Sequence, residues 1–122
     1  MTEPRSILVF ERFWRWLVIH HNCIVRAGTD NAWLYDQDDL HWHLYEDEDG
    51  RRGVQLMRGK QVLGEFLLEG GEAGYVEAAP STEAEGHYEF QVLSGDEGHV
   101  HLVCHFVLAH AFDEETGSAS TH

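Results

Sequence analysis

Ten histidines in 122 residues are the feature of this sequence best suited to chemistry, and two pairs of them have a telling spacing. His41-Trp42-His43 and His99-Val100-His101 each place two imidazoles on one side of an extended strand, because side chains alternate there with a period of two. His105 would add a fifth nitrogen donor. Zinc or another divalent transition metal accepts three such donors plus a carboxylate, for which Glu46 stands close by in sequence. The condition is that strands 40–46 and 99–109 are neighbours in a sheet or close a barrel. On that condition His41, His43, His99 and His101 are the candidate metal ligands.

His41, His43 and the following Glu48 resemble the first part of the cupin metal motif, which implies a small metal-dependent β-barrel enzyme or sensor. Tyr35 and Gln55 occupy the positions where that motif has glycine, and its second part has no counterpart, so the chain is not assigned to the family. Other chemistries find less support. The serines at 6, 81, 94, 118 and 120 lack the glycine pattern of a nucleophile elbow. Cys104 and His105 are adjacent on a strand and point to opposite faces, which prevents thiolate–imidazole contact. No glycine-rich phosphate loop opens a helix. The acids of 36–39 and 46–49 lack EF-hand spacing and read as solvated loops.

Charge gives a second kind of signal. The net charge is −14, and it is uneven: Met1–Lys60 holds eight Lys and Arg against ten acids, whereas residues 61–122 hold twelve acids and no Lys or Arg. Such a surface repels phosphate backbones and anionic headgroups and attracts cations, so nucleic-acid and membrane binding are disfavoured and a basic protein partner is favoured. Glu69, Glu72, Glu83 and Glu85 are the candidate contacts. Two cysteines, each with one apolar neighbour (Cys23-Ile24 and Val103-Cys104), suggest buried, reduced thiols and a cytoplasmic protein. Because the histidines are set among acids, they are expected to be held charged, with stability rising from pH 7.5 to pH 6.

The elements that must position these residues follow from hydrophobic pattern. Ser6–Asn22 reads as an aromatic-rich helix, since ten of the residues Ile7–Ile19 are apolar. Glu11, Arg12 and Arg15 fall within an arc of about 100°, which leaves most of the circumference for burial. Short β-favouring stretches follow at 23–28 and 32–35. Strands are then expected at 40–46, 53–58, 61–68, 74–79, 87–94 and 99–109, separated by Asp49-Gly50, Gly59-Lys60, Gly70-Gly71 and Ser94–Gly98. Gly59 at the first central position suits a type II′ hairpin. In the last strand, alternation sets Val100, Leu102, Cys104, Phe106 and Leu108 on one face and His99, His101 and His105 on the other.

The expected fold is therefore α+β, one N-terminal aromatic-rich helix packed on a twisted antiparallel β meander of about six to seven strands. Residues 1–112 form one domain in this reading, and Asp113–His122 is a disordered tail. The favoured function is a small, acidic, non-enzymatic binding module for a basic partner, of inhibitor, anti-repressor, immunity or chaperone type, without a cofactor. The alternative is the metal-dependent β-barrel with Zn2+ or a related ion.

Overall fold

The first apolar stretch divides in two. In the structure, a computed structural model that describes residues 6–68, 74–96 and 99–112, Ser6–Val9 is a strand (β1) and the helix α1 covers only Phe10–Ile19. The expected helix from Ser6 is thus corrected at its start. The reason is β-propensity and a partner: Ile7, Leu8 and Val9 are aliphatic, and they pair antiparallel with Tyr75–Pro80 (β7) in the register Ile7↔Glu77 and Val9↔Tyr75. Val9 then serves as N-cap without a side-chain hydrogen bond, so the boundary lacks a capping side chain and has only Glu11 in the first turn as a start signal. The helix closes where the His20 N–H bonds to the carbonyls of Trp16 and Leu17 at 3.0 and 3.1 Å. A short 3-10 turn over His21–Cys23 follows.

Among the described residues eight further strands follow: β2 (Ile24–Gly28), β3 (Trp33–Tyr35), β4 (His41–Glu46), β5 (Arg52–Arg58), β6 (Gln61–Leu68), β7 as given, β8 (Tyr88–Asp96) and β9 (His99–Leu108). Their boundaries follow the sequence punctuation closely, and Gly59 takes φ +59° at the turn between Arg58 and Gln61. The α+β class with antiparallel sheets holds. The single meander does not: nine strands form two sheets, one in the order β1-β7-β8-β9-β2-β3 and one in the order β4-β5-β6. Pairings such as Ile24↔Leu108 join segments far apart in sequence, and no local turn announces them. The proposed tail at Asp113–His122 lies outside the described residues.

The core forms between the two sheets and the apolar face of α1. Phe13 packs 5.1 Å from Phe90 and 5.7 Å from Phe106, centroid to centroid, and Trp16 packs 5.3 Å from Phe90. Phe66 reaches Phe106 at 6.0 Å from the small sheet. Trp42, Val54, Leu56 and Leu68 bury the inner side of that sheet. Polar links fix the layers: the Trp42 indole N–H donates to the Ile24 carbonyl at 3.0 Å, and Arg52 donates to Glu11 at 2.8 Å. Val62 and Val100, which strict period-two alternation would set beside the buried Leu68 and Cys104 of their own strands, are exposed at 45% and 49%. Each lies beyond a β-bulge that shifts the phase of alternation.

Candidate functional site

Two of these bulges decide which side chains reach the outer face of the large sheet, the side turned away from the core. In β2 the pairing passes from Ile24↔Leu108 to Arg26↔Val107, so Val25 is an extra residue. Ile24 stays in the core, and Arg26, which strict alternation would set beside it, turns outward. In β9 the pairing passes from Cys104↔Val92 to Leu102↔Leu93, so Val103 is the extra residue. Val103 packs against the core with Cys104, while Leu102 joins His105 on the outer face. This corrects the expected split of the last strand: beyond the bulge, His101 no longer shares a face with His105.

Between the two bulges lies an open recess of about 340 Å³. The β2–β3 hairpin supplies one wall. Gly28 approaches so closely that a Cβ there would overlap the Ala32 carbonyl oxygen, and this tight turn sets Trp33 beside its cross-strand neighbours. The Arg26 guanidinium lies 4.2 Å from the Trp33 ring centroid, and the His105 ring meets Trp33 edge-on at 5.1 Å. The floor is the register row Gln91↔His105↔Gly28. The segment between β7 and β8 supplies Glu83 and β8 supplies Glu89: Ser81 Oγ donates to Glu89 at 3.3 Å and accepts from the Glu83 N–H at 3.1 Å. Arg26 Nη1 donates to Glu83 Oε1 at 3.2 Å, and Asp30 stands at the rim.

The electrostatics follow from burial. His105 is 8% exposed, and its Nε2 has no hydrogen-bond partner. Desolvation, and after it the charge of Arg26, holds its pKa below the ordinary 6.5, with Glu83 acting the other way. The ring is therefore neutral at pH 7. Arg26 also keeps a buried Nε without a partner. Cys104 faces the core, where burial pushes its thiol pKa far up, so the pair Cys104/His105 is divided between faces as the sequence implied.

The expected site residues scatter. His41 and His43 lie on the exposed face of the small sheet, where His43 Nδ1 bonds Gln55 Oε1 at 2.9 Å and Glu65 collects both Gln55 and Tyr45, at 2.9 and 2.6 Å. His101 lies on the large sheet, and the His99 side chain is outside the described residues. Glu46 faces Arg52 at 3.7 Å. Among the described residues no three His, Cys, Asp or Glu side chains come together as a metal site. Of the four glutamates, Glu83 enters the recess, Glu85 is exposed on the same segment, and Glu69 and Glu72 are outside the described residues. Arg26, Trp33, Glu89 and Gln91 were missed. The one available signal was a lone arginine in the apolar run Cys23–Ala27.

Comparison with protein-family models, with curated proteins and with solved structures gives no significant match. Among the described residues no helix is long and apolar enough to cross a membrane.

Proposed function

We propose that this chain is a non-enzymatic binding module that engages a basic protein surface through the outer face of its large sheet. The observation that carries the reading is the composition of the recess, where Asp30, Glu83 and Glu89 meet a single guanidinium that is already ion-paired. Support comes from the wider charge: twelve acids and no Lys or Arg follow Lys60. Fields of this sign draw in cationic partners and speed their association, an effect that fades as salt screens it. A neutral His105 adds no positive charge to offset Asp30 and Glu89 at physiological pH.

The test is native co-purification of the tagged full chain from its source cell at about 0.05 M and about 0.5 M salt, ionic strengths that span the Debye-length range over which surface charges are screened. Retained proteins are identified and the interaction rebuilt from purified components. A basic partner held at low salt and released at high salt is the expected result. A partner that is acidic, or whose affinity ignores salt, overturns the reading.

A further inference from the structure

We propose that the recess receives one arginine side chain presented by the basic partner, gripped through its guanidinium. The inference rests on the binding-module reading for the source of that side chain, but its chemistry is local. The formal charge of the lining is one arginine against three carboxylates, 1 − 3 = −2. Glu83 is committed to Arg26, and among the described residues neither Asp30 nor Glu89 has a Lys or Arg partner. An anionic ligand would meet that uncompensated charge; a cation relieves it.

The shape of the polar groups selects a guanidinium over an ammonium. A guanidinium carries five N–H donors in a rigid plane and needs acceptors arranged around it. The recess presents two carboxylates as acceptors, with Gln91 beside them and in its wall His105, 8% exposed, whose Nε2 is buried and unpartnered. Trp33 remains 47% exposed with Arg26 stacked on it, so indole surface is open to a second planar cation. Leu102 gives the methylene stem an apolar wall. At about 340 Å³ the recess is at the small end of ligand sites, sized for a side chain rather than a folded segment.

The experiment titrates the isotopically labelled full chain with three capped tripeptides, Gly-X-Gly with X arginine, lysine or citrulline, and follows the Trp33 indole N–H and His105 ring resonances. The arginine peptide should shift both saturably, the lysine peptide should bind more weakly, and citrulline, isosteric but uncharged, should leave them unmoved. D30N and E89Q should each weaken arginine binding about tenfold, the loss of a charge-assisted hydrogen bond. Asp30 is exposed at a turn, so D30N keeps the test valid should E89Q unfold. Equal shifts from citrulline, no shift from arginine, or arginine binding indifferent to both variants overturns the proposal. A basic partner held salt-sensitively yet equally by wild type and D30N overturns the recess alone and leaves the binding-module reading standing. A partner that is not basic overturns that reading.

Discussion

His105 and His20 reverse an expectation that the sequence encouraged. Acids are plentiful, so imidazoles were expected to be held charged; these two rings are instead held neutral. For His105 burial is the main cause, then Arg26. For His20, packed 4.7 Å from the Trp16 ring and 4.5 Å from His110, burial again leads, followed by His110 and His21. A lowered folded pKa means that the unfolded chain takes up the proton more readily, so the stability these rings contribute is full above about pH 6.5 and is lost as pH falls below it. Melting curves between pH 7.5 and pH 5.5 should therefore show a shallower loss in H105Q than in the parent, and an unchanged slope would refute the assignment. The thiols give a companion test. Cys104 is fully buried with a raised pKa whereas Cys23 is partly exposed, so a thiol reagent should label Cys23 in the native protein and Cys104 only on unfolding. Residue types were legible here and neighbours were not: Glu83 was found from charge alone, while its partner Arg26 is 57 positions away and was hidden by the bulge at Val25.

At the scale of elements, local signals served well where a turn sits between neighbours. The β4–β5–β6 hairpins could be placed from Asp49-Gly50 and Gly59-Lys60, and Asp47 stabilises the first by accepting the N–H groups of Asp49 and Arg51, both at 2.9 Å. Period-two reading failed at each bulge, because one inserted residue inverts every face beyond it. The helix was legible as a buried amphipathic element and its first turn was not. Phe13 is fully buried against Phe90 and Phe106, so F13A should lower stability by about 3–5 kcal/mol in denaturant titration. A change below about 1 kcal/mol would place it among the minor contacts. Gly28 offers a finer probe. A methyl at that position collides with backbone rather than with a side chain that can swing away, so G28A should cost about 1–3 kcal/mol and displace Trp33, read as a shift in its fluorescence.

Over the whole molecule, net charge was the most reliable thing to read, since it needs no fold. Its consequence is kinetic. Under the proposed binding-module function, reversing Glu83 and Glu85 to lysine should slow association with the proposed basic partner more than it speeds dissociation, and the difference should shrink in high salt. Stopped-flow association rates at two ionic strengths check this, and a purely dissociative effect would remove long-range attraction from the account. Sheet order was the least legible property, because it depends on which distant segments meet, and nothing local in β1 or β2 names β7 or β9.

That order also sets a timetable for synthesis. In the large sheet β1 and β2 flank strands that are translated later, with β7, β8 and β9 lying between them. Phe13 emerges early, yet its packing partners are Phe90 and Phe106. At ribosomal speeds of about 5–20 residues per second, the interval from Phe13 to Phe106 lasts about 5–19 s, during which Phe13 lacks its full native cover. The nascent chain should therefore recruit a chaperone to α1, and the fold should close only after the final strand leaves the exit tunnel.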